Sequence, residues 1–360
     1  MQKGYFEKFG GRYVPEAVMN QLFSLECEVD LTESDRCFWD AYDHYMETWA
    51  GGKTPLYLAE NLSEQLGHKL YLKRGDANDA AFFGPALGQL LLWKRIGYRR
   101  AVAETGCGLW GVAVARAAAM MEMECVLYAA PEEEGRQQTM LEAMKLCGAR
   151  VVTADRDSVA EAIAYWADHS RDTCMIMTGD WGPYPYTEAV ASLQKLTGEE
   201  MKSQMEEAEG KLPGLIAAGA RPEYVLGGLF APFFEENVQL YGVEPESRGQ
   251  GGVRTVGIAG GMKTLAFQDG KGRIGFTRSH KEPMPVLGPE LADCVESGKI
   301  CLEMVSVKEA EAARALAART EGICLSWYDA CSLALAVRKA KALEAQDYLT
   351  VFLNKGEDAQ

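Results

Sequence analysis

From residue 69 onward the chain alternates short apolar runs with longer amphipathic ones. Apolar runs at 69–73, 100–103, 125–129, 151–152 and 174–177 predict strands, and the stretches at 86–96, 111–121, 136–147 and 158–169 predict helices between them. Strands separated by helices predict a mostly parallel sheet covered on both faces, hence an α/β protein. The first fifty residues read differently: a glycine-rich opening, a helix starting at Pro15, and an aromatic helical stretch at 38–49 that Gly51 and Gly52 end. A long polar helix over 187–210 marks a change of domain. A second series follows, with strands at 215–218, 238–243, 300–305 and 348–353 and helices near Phe230 and over 308–318 and 327–343. The many glycines of 249–275 predict a loop or hairpin, and no internal repeat is present.

Composition narrows the function classes. A chain of 360 residues with 48% hydrophobic side chains can bury a core large enough for two domains. Its formal charge of −15 speaks against nucleic acid, which needs clustered Lys and Arg. The ten cysteines run from Cys27 to Cys331 with no Cys-x-x-Cys pair and no suitably spaced His, so no metal is expected. Residues 1–16 interleave Lys3, Lys8 and Arg12 with glycines rather than forming an apolar leader, and no apolar run is long enough for a bilayer. The expectation is a cytoplasmic protein without membrane contact.

A resemblance sharpens this picture. Gly4-Tyr5-Phe6, then 9–16 (Phe-Gly-Gly-Arg-Tyr-Val-Pro-Glu), Thr54-Pro55-Leu56-Tyr57, Leu72-Lys73-Arg74, Ala86-Leu87-Gly88-Gln89 and Glu104-Thr105-Gly106 follow one another in the order and spacing of the tryptophan synthase β family. So do Phe230-Ala231-Pro232-Phe233, Gly242-Val243-Glu244, Gly288-Pro289-Glu290 and 319–323. The resemblance implies fold type II of the pyridoxal-phosphate enzymes: two three-layer α/β/α domains with mostly parallel sheets and a cofactor cleft between them. It divides the chain at 1–195 and 196–360, with 47–80 crossing to the other domain. It also implies a homodimer, or a dimer with a genuine tryptophan synthase β subunit, and an α subunit as a further partner.

Three segments depart from the family pattern. Its Schiff-base lysine precedes Asn-Ala-Leu-Gly-Gln, whereas 75–85 here is slightly shorter, has no lysine, and places Phe82 and Phe83 near that position. Where the family has Gly-Gly-Gly-Ser-Asn around the cofactor phosphate, the residues are Arg221, Pro222, Glu223, Tyr224 and Val225. Proline lacks an N–H and glutamate adds like charge, so only Arg221 favours an anion there. Asn354 replaces the serine that meets the pyridine nitrogen. At the family's substrate-carboxylate loop stand Thr105, Gly106, Gly108, Leu109 and Trp110, and the family's catalytic acid is matched by Glu104.

Each position also has a structural reading. Glu104 is either a carboxylic acid desolvated by Leu109 and Trp110, or a strand-end carboxylate that caps the helix after Gly108. Phe82, Phe83, Leu109 and Trp110 either line an apolar pocket or fill a space that would otherwise cost stability. His280 and the segment 283–285 stand where the family closes its site, and Glu134, Gln137 and Gln138 lie in its mobile region. Taken together, the sequence predicts a tryptophan synthase β-like pseudoenzyme with no cofactor. The alternative is an enzyme with a rebuilt cleft that acts on indole or a similar aromatic through Glu104.

Overall fold

The computed structural model describes residues 3–106, 108–130, 138–155, 157–179, 181–221, 226–246, 253–274, 283–344 and 347–355. The chain opens with β1 (Tyr5–Phe6) and β2 (Phe9–Gly10), followed by helices α1 (Met19–Thr32) and α2 (Arg36–Tyr45). Next come β3 (Leu56–Leu58), α3 (Glu60–Leu66), β4 (Leu70–Arg74) and α4 (Ala80–Ile96). The regular alternation continues through β5 (Arg100–Glu104), α5 (Leu109–Met120), β6 (Glu124–Ala129), α6 (Gln138–Leu146), β7 (Arg150–Thr153), α7 (Ser158–Asp168) and β8 (Thr173–Met175). After the long α8 (Tyr186–Glu209) lie β9 (Leu215–Gly219), α9 (Leu226–Phe230), β10 (Gln239–Pro245), β11 (Thr255–Ala259) and β12 (Met262–Ala266). The chain then runs through α10 (Pro289–Glu296), β13 (Cys301–Val305), α11 (Val307–Thr320), α12 (Trp327–Ala340) and β14 (Leu349–Leu353).

Among the described residues these strands form three sheets. The first, in the order β7-β6-β5-β8, is wholly parallel. A larger one runs β13-β10-β9-β14-β4-β3 and is parallel except for β3, which lies antiparallel to β4. Thus β3 and β4, from the amino-terminal half, build the sheet of the carboxyl-terminal half. The third sheet, β1-β2-β12-β11, joins residues 5–10 to a hairpin from the second half, with Gly10 opposite Lys263.

Burial explains the parallel sheets. Strands β9 and β14 are buried at every residue, as strands covered on both faces must be. Alternate residues serve different cores. Ile216, Ala218 and Phe352 pack in the main core with α4 and α5, while Leu215, Ala217, Val351 and Leu353 pack against α11 and α12. The glycine-rich segment contains the β11–β12 hairpin at 255–266, turned by Gly260 (φ 56°) and Gly261 (φ 83°). A side chain on Gly260 would strike the Trp181 ring.

Helix α4 begins earlier than the pattern predicts, at Ala80 rather than residue 86. Pro85 suggests a helix start, but the preceding turn is helical and buries Phe82 and Phe83, with Asp79 O accepting from both of their N–H groups. No described helix is long and apolar enough to cross a membrane.

Candidate active site at the strand ends

In parallel sheets ligands gather at the carboxyl ends of the strands, where loops and helix amino-termini converge. The end of β5 carries Glu104, which is buried. Its Oε1 accepts 2.6 Å from the Thr178 hydroxyl and its Oε2 accepts from Gly106 N–H. Helix α5 follows Gly108, which supplies no side-chain cap. The two Glu104 bonds tie the turn after β5 to the segment after β8. Thr105, fully buried, continues that turn: its carbonyl accepts from Gly108 N–H at 2.9 Å and Gly111 N–H at 3.1 Å. Gly106 (φ 54°) and Gly108 (φ 76°) are glycine because the turn needs left-handed backbone there.

The apolar candidates are close to this turn or at the start of α4. Trp110, Phe82 and Phe83 are buried in the main core, while Leu109 is half-buried against it. Trp110 Nε1 has no hydrogen-bond partner.

The end of the larger sheet is chemically different. Asn354 follows β14 and is 3% exposed, yet among the described residues neither its Oδ1 nor its Nδ2 has a hydrogen-bond partner. Its backbone N–H donates to Asp329 Oδ1 at 3.1 Å, and Asp329 Oδ2 accepts 2.6 Å from the Ser326 hydroxyl. Burial pushes the Asp329 carboxyl up to about 7, against the opposing pull of the Ser326 bond and the Arg221 charge. Arg221 is itself buried just beyond β9, with its guanidinium over the Tyr328 ring at 5.6 Å. Glu290, at the start of α10, is also pushed up to about 7, by burial first and then by Glu188 and Asp293.

Between the two sheets Asp79, the residue before α4, accepts 2.8 Å from Arg116 Nη1 on α5 and 2.7 Å from Lys355 Nζ beyond β14. Burial alone would raise its carboxyl, but these two cations hold it below the ordinary value. The pattern along the chain does not reveal Asp79, Arg116, Asp329 or Lys355. Only Ser326-x-x-Asp329, a helix-start signature in which Ser326 Oγ accepts from Asp329 N–H, leaves a local trace. Pro222, Glu223, Tyr224, Val225, His280, Glu134 and Gln137 lie outside the described residues. Gln138 is exposed and bonds to Glu142, one turn on.

A family model described as "Pyridoxal-phosphate dependent enzyme" matches residues 48–354. Solved structures share the fold. A threonine deaminase from T.th. superposes with a TM-score of 0.67 at 18% identity, over 89% of this chain and 98% of that one. Serine racemase from Dictyostelium discoideum gives 0.64 at 16% identity, over 88% and 96%. A fungal L-serine ammonia-lyase from Rhizomucor miehei gives 0.62 at 14% identity, over 85% and 94%.

These findings overturn the reading of a tryptophan synthase β-like pseudoenzyme, and with it the alternative of a cleft rebuilt for an aromatic without pyridoxal phosphate. The matching family is one of cofactor-dependent enzymes, and the solved relatives are named as enzymes. The pseudoenzyme reading rests on spacing within three short segments, and spacing does not show which side chains the fold carries to the strand ends. Pyridoxal phosphate needs a polar partner for its ring nitrogen and a cation or N–H groups for its phosphate. Asn354, buried with its amide unpartnered, fits the first need, and the buried Arg221 fits the second.

Proposed function

The chain belongs to the pyridoxal-phosphate dependent enzyme family, and from that premise we propose that it is a tryptophan synthase β-type member that transforms a small α-amino acid. The cofactor would be held at the end of the six-stranded sheet, where it supplies an electron sink for bonds at the substrate α-carbon. Asn354 would meet its ring nitrogen and Arg221 its phosphate. The substrate carboxylate would meet the amino-terminus of α5 and the backbone around Thr105 and Gly106, where N–H groups and the helix dipole favour an anion. Glu104, buried beside that turn, would shape the adjacent wall. A small hydroxy amino acid is the favoured substrate class, because the solved relatives are named for threonine and serine. In this reading the position of the family's lysine has passed to Phe82 or Phe83, so the amine comes from elsewhere in the chain.

The observation that carries the reading is Asn354, whose two amide atoms are buried without partners at the end of a central strand. Titration with pyridoxal phosphate should raise the melting temperature by several degrees, since a ligand that binds only the folded state stabilises it. The variant Asn354→Leu should lose most of that shift while it melts normally alone. An unchanged melting temperature at saturating cofactor would defeat the proposal.

Assembly as a dimer, with itself or with a genuine β subunit, and binding of an α subunit form part of the same proposal. The amino-terminal block in this chain is tied to its own hairpin, with Tyr13 N–H donating to Gly261 O at 2.8 Å. Light scattering that shows only monomer would remove the dimer.

A further inference from the structure

Helix α9 is held on two sides. Toward α8, a side chain at Gly228 would strike the Ala191 carbonyl, and one at Gly198 would strike the Leu229 carbonyl. Toward α10, a side chain at Gly227 would strike Cδ and Oε2 of Glu290, so that carboxyl lies directly against the α9 backbone. All five residues of α9 are buried, and none carries an ionisable side chain. Glu290 Oε2 is buried at this contact, and among the described residues it has no hydrogen-bond partner. The two sides therefore differ in kind. Carbonyls on the α8 side keep the same charge at every pH, and a carboxyl on the α10 side does not.

The charges around Glu290 are mostly of its own sign. Glu188 on α8 and Asp293 on α10 favour its protonated form, and Lys299, beyond α10, opposes them. Burial raises Glu188, and it raises Asp293 with a further push from Glu7. The described cations nearby are engaged elsewhere. The Lys299 ammonium lies over the Phe234 ring at 5.3 Å, and Lys8 pairs with Glu296 of α10 at 2.7 Å. On β12, which also packs against α10, Lys263 has Tyr5 of β1 as its electrostatic neighbour.

We propose that Glu290 is a pH-sensitive latch between α10 and α9, closed while its carboxyl is neutral and released when it ionises. A charged carboxylate with a buried, unpartnered oxygen is far costlier than a neutral carboxyl. Parting α9 from α10 admits water to it. Burial lifts the folded carboxyl from 4.5 to about 7. The latch is therefore fully closed below the ordinary value, and its hold is lost as pH rises to about 7. It needs no cofactor to operate. Where Arg221 meets the cofactor phosphate, release would reach that site, because α9 begins five residues after Arg221.

Hydrogen exchange of α9 in the absence of cofactor tests the latch, with exchange times scaled for the intrinsic effect of pH and peptides of the smaller sheet as reference. Protection of 226–230 in wild type should fall at least about tenfold between pH 5 and 8. Glu290→Gln, uncharged and of the same shape, should keep its protection within about twofold over that range. Glu188→Gln should show a smaller fall than wild type, because one like charge has gone. An equal fall in wild type and Glu290→Gln, or no fall in wild type, would overturn the latch. Should Glu290→Gln not fold, wild type decides: a fall confined to α9 and α10 supports the latch, and one spread evenly over the molecule overturns it. The melting-temperature titration with pyridoxal phosphate tests the cofactor reading separately, so either can fail alone.

Discussion

At the end of β5, Glu104 is buried with both carboxylate oxygens accepting hydrogen bonds from its own surroundings, Gly106 N–H and the Thr178 hydroxyl. At the end of β14, Asn354 is equally buried but its amide has no partner, and the neighbouring Asp329 is held near 7 by burial. A buried polar group without a partner costs roughly 1–3 kcal/mol. The smaller sheet therefore ends in a turn that is complete in the free protein, with Trp110 Nε1 as its one orphaned atom among those described above. The larger sheet ends in groups whose hydrogen-bonding capacity is left for something else. On the proposed reading, the cofactor would take up the unpartnered groups of the carboxyl-terminal sheet, while the turn after β5 on the amino-terminal sheet is already built when substrate arrives.

Three measurements sharpen or break this comparison. The largest effect concerns pH. Burial raises the Asp329 carboxyl from 3.8 to about 7, so the folded state holds that proton more tightly than the unfolded state does. Its favourable contribution is full below the unfolded value and is lost as pH rises through about 7, amounting to ~4 kcal/mol. Denaturation of wild type and Asp329→Asn across that window should show the flatter slope in the variant. Glu290, raised in the same direction, keeps some slope in both proteins. Identical slopes would mean that Asp329 is not the strained group at this end.

A smaller loss is expected at the other sheet. Glu104→Ala strips the acceptors from Gly106 N–H and the Thr178 hydroxyl, and should cost about 3 kcal/mol in urea unfolding. A cost below ~1 kcal/mol would show that the turn is held without it. The smallest effect is Asn354→Leu, which removes two unpartnered polar atoms and should change unliganded stability by less than ~1 kcal/mol. Destabilisation beyond ~2 kcal/mol would reveal partners for the amide and erase the contrast.

The sheet layers were legible because β9 and β14 are nearly continuous apolar runs and the amphipathic helices repeat between them. The early start of α4 was hidden by Pro85, which reads as a boundary although the preceding turn buries two phenylalanines. Nothing local foretells that Gly10 pairs with Lys263, or that β3 and β4 join the distant sheet, since strand pairing depends on contacts remote in sequence. At the site, Glu104 was visible through resemblance, but its partner Thr178 was not. Asp79, Arg116 and Lys355 lie far apart along the chain and are ordinary surface residues by type, so only the fold shows them meeting.

The position of β14 has a consequence for biosynthesis. It is the last of the described strands, yet it sits between β9 and β4 and pairs with both. While a ribosome is still translating the preceding residues, β4 and β9 face an empty lane. By contrast, the strands of the smaller sheet all fall within residues 100–175 and can assemble as they emerge. Nascent chains halted before residue 349 should therefore resist protease over the smaller sheet and be cut within 215–245. In a growing chain the larger sheet is the part that needs protection from aggregation, because its middle arrives last.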